Sequence, residues 1–222
     1  MSTWGFLTNH AHVVIQVARN PRSTVREISL ATGITERATI HVLHDLRDSG
    51  IIATWREGRQ NINELDLSAL AKHRPWGASS MEVPQALLDA TLRGLGRLAP
   101  KESHAERARR VRVRRHSTNS ARRWGFLTTH ALILIYVTQH SHSTVREIAL
   151  AVGVTERAAH STLQDLREGG IVECERQGRR NSYSVNMQRL APYRREGTAP
   201  DLVPASFVSF LLEGLLTLRP AV

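Results

Sequence analysis

The chain is one module written twice. Residues from Trp4 to about Pro100 recur from Trp124 to Pro220, each shifted by 120 positions and without a gap. Trp4-Gly5-Phe6-Leu7-Thr8 returns as Trp124-Gly125-Phe126-Leu127-Thr128, and Ser23-Thr24-Val25-Arg26-Glu27-Ile28 returns as Ser143 to Ile148. Roughly four positions in ten are identical between the copies. That period is domain-sized, far longer than the ~20–50 residues of a solenoid repeat. Each copy must therefore build its own core, and any function has to use two similar surfaces.

The chain has 222 residues, 41% of them hydrophobic, so two modules of this size can each bury a small core. No apolar run reaches the ~18 residues of a membrane span, and no membrane partner is expected. The N-terminus lacks the basic-then-apolar pattern of a secretory signal. Cys174 is the only cysteine, which excludes an intrachain disulfide and a cysteine-rich metal site. A cytoplasmic protein is expected.

The net charge of +10 is unevenly placed. Residues 1–100 carry +2 and residues 124–222 carry +1, whereas the 23 residues between them carry +7. This connector holds Arg109, Arg110, Arg112, Arg114 and Arg115. Such a segment attracts a polyanion by electrostatics alone. It also fits a solvated spacer kept extended by self-repulsion.

Within a copy, Leu7, Ala11, Val14, Ile15 and Ala18 fall at helical spacing and predict a first helix over about 6–19, stopped by Asn20-Pro21. The second copy matches with Leu127, Ala131, Leu134, Ile135 and Thr138. Thr24 with Glu27 three residues on reads as a capping box opening a short helix. Ile28 and Ala31 are its expected inner residues, and Gly33 ends it. Thr35 caps a third helix to about Asp48, with Ala38, Val42, Leu43 and Leu46 inward. Its other face is Glu36, Arg37, Ile40, His41 and His44, and Gly50 closes it. Strands follow at 51–56 and 60–67, joined by Glu57-Gly58-Arg59, and again at 171–176 and 180–187 around Gln177-Gly178-Arg179. After a loop near 72–82, Val83, Leu87, Leu88, Leu92, Leu95 and Leu98 predict a terminal helix over 83–98. Its more apolar counterpart spans 203–218 and ends in Leu216 and Leu218. The expected class is mainly α with small β-hairpins, an α+β chain.

The order helix, short helix, glycine turn, capped helix, hairpin is that of a winged helix-turn-helix. The run Val25-Arg-Glu-Ile-Ser-Leu-Ala-Thr-Gly-Ile-Thr-Glu-Arg-Ala38 and the wing Arg56-Glu-Gly-Arg-Gln-Asn61 resemble bacterial winged helix-turn-helix transcriptional regulators of the ArsR/MarR type. The resemblance covers about 1–70 and 124–190. It implies two tandem domains, 1–100 and 122–222, joined by the basic connector 101–121. The tandem arrangement departs from the single-domain homodimer usual for such regulators.

In a helix-turn-helix the second helix enters the major groove, and its N-terminal half reaches base edges. The candidates here are Thr35, Glu36, Arg37, Ile40, His41 and His44 in the first copy. In the second they are Thr155, Glu156, Arg157, His160, Ser161 and Gln164. Arg37 and Arg157 suit bidentate contact to guanine, and Gln164 suits adenine. Glu36 and Glu156 suit cytosine or only the helix N-terminus. Ser23, Thr24, Ser143, Thr144 and the capping threonines suit phosphates. The wing arginines Arg56, Arg59, Arg176, Arg179 and Arg180 suit phosphate or the minor groove. The bland alternative is a solvated helix face and a charged hairpin.

Eleven histidines invite a metal reading. The closest pairs, His10/His12 and His140/His142, sit two apart, and that spacing does not place two ligands on one helix face. His10 and His130 match between copies and read as hydrogen-bonded structural residues. No metal site, cofactor or enzyme constellation is expected. The terminal helices read either as core or as a pairing surface, making an intrachain pseudo-dimer or a homodimer. The leading functional expectation is a sequence-specific, nucleoid-associated regulator of double-stranded DNA. The alternatives are an architectural nucleoid-type protein and a tandem winged-helix interaction scaffold.

Overall fold

A computed structural model of the chain describes residues 5–73, 81, 83–99, 124–177, 180–190 and 203–217. Trp4, Arg179, Leu218 and the connector with its five arginines lie outside these residues. The described chain is mainly helical, with two small antiparallel hairpins.

The first copy runs α1 (Asn9–Arg19), α2 (Val25–Thr32), α3 (Glu36–Asp48), β1 (Ile52–Glu57), β2 (Gln60–Leu65), α4 (Leu67–Lys72) and α5 (Gln85–Leu98). The second repeats this order: α6 (Thr129–Gln139), α7 (Val145–Val152), α8 (Glu156–Glu168), β3 (Val172–Gln177), β4 (Arg180–Val185), α9 (Met187–Leu190) and α10 (Ala205–Leu216). Among the described residues no helix is long and apolar enough to cross a membrane.

The first helix starts three residues later than its apolar spacing suggests. Thr8 caps it, accepting from the Ala11 N–H at 3.3 Å, and Leu7 lies outside it. The expected apolar stripe is also too narrow. Val13 and Val17 are as buried as Ala11, Val14 and Ile15, because α1 packs on α2, α3, α5 and β2 together. A helix covered on several sides is apolar around most of its circumference. Both capping boxes form. Glu27 accepts from the Thr24 backbone N–H at 2.7 Å, and Glu147 does the same with Thr144. Gly33 and Gly153 then close α2 and α7 at φ of 67° and 74°, in the left-handed region that a side chain disfavours.

Two inner positions differ from expectation. Ala31 and Ala38 are only partly buried, and Thr32 and Thr39 take the inward places. Their hydroxyls donate to the carbonyls of Ile28 and Thr35 four residues back, so the buried oxygens are satisfied within the helix. The second strand ends at Leu65 because Asp66 caps α4, accepting from the Ser68 and Ala69 N–H groups at 2.8 and 2.9 Å. In the first hairpin Glu57 pairs with Gln60, which leaves a two-residue turn at Gly58 and Arg59.

The copies are joined by reciprocal contacts. Leu7 and Leu127, the same position in each, form an antiparallel bridge. The Thr8 N–H donates to Phe126 O and the Thr128 N–H to Phe6 O, both at 3.1 Å. Their hydroxyls donate to Gly125 O and Gly5 O, both at 2.6 Å. The terminal helices α5 and α10 pack together. A Cβ on Gly94 would lie 2.8 Å from Phe207, and one on Gly214 would lie 2.9 Å from the Leu87 Cα. Since Phe207 is the counterpart of Leu87, each contact is matched by its mirror, which is the mark of an approximate twofold. On that axis Arg93 faces Glu213, its own counterpart, at 3.8 Å.

Trp124 adds a further contact between the copies. Its indole stacks between the imidazoles of His10 and His73, with ring centroids 4.5 and 4.2 Å away. His10 also meets Asp45 at 3.2 Å, and His130 meets Asp165 at 3.1 Å, so both repeated histidines tie the first helix of a copy to its third. Burial pushes His10, His73 and His130 below the ordinary histidine pKa, and the bonds to Asp45, Trp124 O and Asp165 only partly oppose it. These side chains bind protons more weakly folded than unfolded. The stability they contribute is therefore present above about pH 6.5 and is lost as pH falls through and below that value. The urea midpoint is expected to be lower at about pH 5.5 than at about pH 7.5, with a smaller difference in His73→Gln. A midpoint no lower at about pH 5.5 than at about pH 7.5 would mean that the aspartates at least offset burial.

Candidate nucleic-acid interface

The capped third helix of each copy carries a continuous exposed row. Thr35, Glu36, Arg37, Ile40, His41 and His44 are all exposed on α3. Thr155, Glu156, Arg157, His160, Ser161 and Gln164 are all exposed on α8. The row forms because Thr39, Val42, Leu43 and Leu46 bury the opposite face, as Thr162, Leu163 and Leu166 do in the second copy. Thr35 and Thr155 accept from the N–H groups of Ala38 and Ala158 at 3.2 Å, which leaves each hydroxyl proton for an outside acceptor. Ile40 is 44% exposed, and such a side chain matches a thymine methyl better than water. Gln164 already donates to Glu168 at 3.0 Å, so its amide presents its oxygen and one N–H outward.

The four hydroxyls at the starts of α2 and α7 are already engaged within the chain. Ser23 and Ser143 are buried, at 3% and 5% exposure. The Ser23 hydroxyl accepts from Gln16, and that of Ser143 donates to His140 O, so neither faces a ligand. Thr24 and Thr144 give both their backbone N–H and their hydroxyl proton to the capping glutamates. The Thr24 backbone N–H, then its hydroxyl, holds the Glu27 carboxyl below the usual carboxylate range, and Thr144 does the same for Glu147. The N-termini of α2 and α7 thus already carry an anion, which a phosphate would have to displace.

The hairpins supply exposed cations. Arg56 and Arg59 lie at the first tip, and Arg56 Nε donates to Gly58 O at 3.2 Å, which fixes the arm across the turn. Arg176 and Arg180 are exposed on the second hairpin. Arg180 is partly drawn back, donating to His142 O at 3.3 Å and lying 3.9 Å from Glu147. The first hairpin is tied to the same region differently, through Arg22 and Glu57 at 2.7 Å. Arg26 and Arg146, exposed in the first turns of α2 and α7, are cations that motif reading passes over. Their signal was their identity in both copies. Among the described residues no group of three or more histidine, cysteine or acidic side chains is placed to hold a metal ion.

Comparison with protein-family models, with curated proteins and with solved structures found no match to this chain.

Proposed function

We propose that this chain is a sequence-specific double-stranded DNA-binding transcriptional regulator made of two tandem winged helix-turn-helix domains, and that it acts by binding without catalysis. The observation that carries the reading is the pair of exposed polar rows on α3 and α8, held at twofold-related positions within one chain. A short capped helix, a left-handed glycine and a second capped helix support it, as does a hairpin with arginines beyond. In this reading α3 and α8 enter successive major grooves, and the hairpins touch backbone or minor groove. The twofold sets the half-sites as an inverted repeat. The repeat is imperfect, because Ile40, His41 and His44 are matched by His160, Ser161 and Gln164.

Selection of bound sequences from a random DNA pool tests this. An imperfect inverted repeat is the expected outcome, and a pool with no enriched motif would favour the architectural alternative. Arg37→Ala and Arg157→Ala are each expected to relax one position, in opposite halves of the site. A good bidentate contact is worth about 1–3 kcal/mol of discrimination. Equal losses on all sequences would make the two arginines phosphate contacts.

A further inference from the structure

Helices α2 and α7 reverse the ordinary pattern of divergence between duplicated copies. Surface positions tolerate change at little cost, so they are the ones expected to drift. Here the positions that differ, Ser29 against Ala149 and Thr32 against Val152, are buried. The outward-facing Arg26, Glu27 and Leu30 return unchanged as Arg146, Glu147 and Leu150. The exposed rows on α3 and α8, by contrast, have diverged at Ile40, His41 and His44. Leu30 and Leu150 are 70% and 71% exposed, more than any other large hydrophobic side chain among the described residues. A single exposed leucine is ordinary. Two at the same place, in copies that differ at roughly six positions in ten, mark a surface with a use.

Charge flanks each leucine. At ~3.6 residues per turn Leu30 lies about 40° around the helix from Arg26 and about 60° from Glu27, with one on either side. Among the described residues no hydrogen bond or ion pair holds the guanidinium of Arg26 or Arg146. Glu27 uses only Oε2 for Thr24, and Oε1 is left for an outside donor. Glu147 does the same with Thr144, its Oε1 a loose 3.9 Å from Arg180. Each face is therefore neutral, with a leucine between one cation and one anion. A purely acidic or purely basic partner would leave one of those charges opposed, whereas the face complements itself. When two such faces meet side by side about a twofold parallel to the helices, leucine meets leucine. Each arginine then lies over the facing glutamate, as flanking charges do in a coiled coil.

We propose that the Leu30 and Leu150 faces are docking surfaces for further copies of this chain, with each arginine paired to the glutamate of the facing helix around a leucine–leucine contact. One leucine and two ion pairs make a small interface, so the association is weak, with a Kd of about 0.1–1 mM. Every chain carries two such faces at twofold-related positions. A contact that uses one face leaves the other open, and association continues from chain to chain instead of closing at a dimer. The contact is separate from the α5–α10 packing that joins the two copies within a chain. The inference concerns assembly alone and does not rest on the chain binding DNA.

Sedimentation equilibrium of the full chain without DNA, from about 20 µM to about 1 mM, tests this. Salt at about 0.3 M screens the long-range repulsion between chains of net charge +10. The weight-average mass is expected to rise with concentration and to pass twice that of one chain at the top of the range. Leu30→Gln or Leu150→Gln leaves one face per chain and is expected to cap the mass at twice that of one chain. The double variant is expected to stay at the mass of one chain. Arg146→Glu added to Leu30→Gln surrounds the remaining leucine with carboxylates and is expected to abolish the residual dimer. Glutamine suits a helix and both leucines are exposed, so the circular dichroism spectra of the glutamine variants are expected to match the wild type. The inference is overturned if the wild-type mass stays at that of one chain, if it levels off at twice that mass, or if the glutamine variants assemble as the wild type does. The first of these outcomes would leave the two leucines to a different protein, and the last would assign the association to another face.

Discussion

Phe207→Ala is expected to lower the unfolding free energy by about 3–5 kcal/mol, the cost of emptying a fully buried aromatic site. Phe207 is completely buried. Its ring lies against Gly94, where a Cβ would come within 2.8 Å, so the space it leaves faces helix backbone that cannot fill it. The loss is a large share of the roughly 5–15 kcal/mol that holds a typical domain. Because α10 packs on α5, the damage falls on the joint between the copies as well as on the second core. Urea denaturation measures it. Leu216→Ala, on the same helix but 49% exposed, is the control and is expected to change little. A loss below about 1 kcal/mol for Phe207→Ala would mean that α10 does not pack on α5 in solution.

Replacing Arg109, Arg110, Arg112, Arg114 and Arg115 by serine is expected to flatten the slope of log affinity against log salt by up to about 4 units. Each phosphate that a protein cation neutralises contributes about −0.9 to that slope. Residues 101–123 carry +7 of the net charge of +10, so this segment is the most strongly charged part of the chain. Arginines bind phosphates through charge, and phosphate contacts carry no sequence information. Affinity for selected and random DNA should therefore fall by similar factors. An unchanged slope would make the connector a spacer. A loss confined to the selected site would make it a reader of sequence.

Local signals were the legible part of this fold. Thr24 and Glu27 define a capping box because both partners lie within one turn. Gly33 marks a turn because its backbone sign depends on it alone. The exposed rows on α3 and α8 follow from helical period once the inner face is known. What depended on a distant partner was not legible. Ser23 reads as a candidate phosphate contact, but Gln16 of the preceding helix reaches its hydroxyl and the side chain is buried. Leu7 reads as the first residue of a helical stripe, but Leu127 captures it as a bridge. Leu67 reads as the end of a strand, whereas Asp66 has already begun a helix. The bonds from Arg47 on α3 to Thr54 on β1 and Asn63 on β2 are hardest of all, since they join three elements, and their loss in the second copy, where Cys174 and Tyr183 stand at those positions, shows only when Thr54 and Asn63 are seen to share one guanidinium.

A residue on the axis of a true homodimer meets a copy of itself, so a charge placed there always faces its own sign. The duplicated chain escapes that constraint, and Arg93 opposite Glu213 uses the escape. Both side chains are more than half exposed, so the attraction is worth no more than about 0–1 kcal/mol. The alternatives are nonetheless unequal. Two first copies from different chains would set arginine against arginine, and two second copies would set glutamate against glutamate. Only unlike copies meet with opposite charges, and the tether already holds one of each together at high effective concentration. The fused molecule can thus discriminate against exchanging halves with its neighbours, a preference that no pair of identical subunits can encode at its own axis.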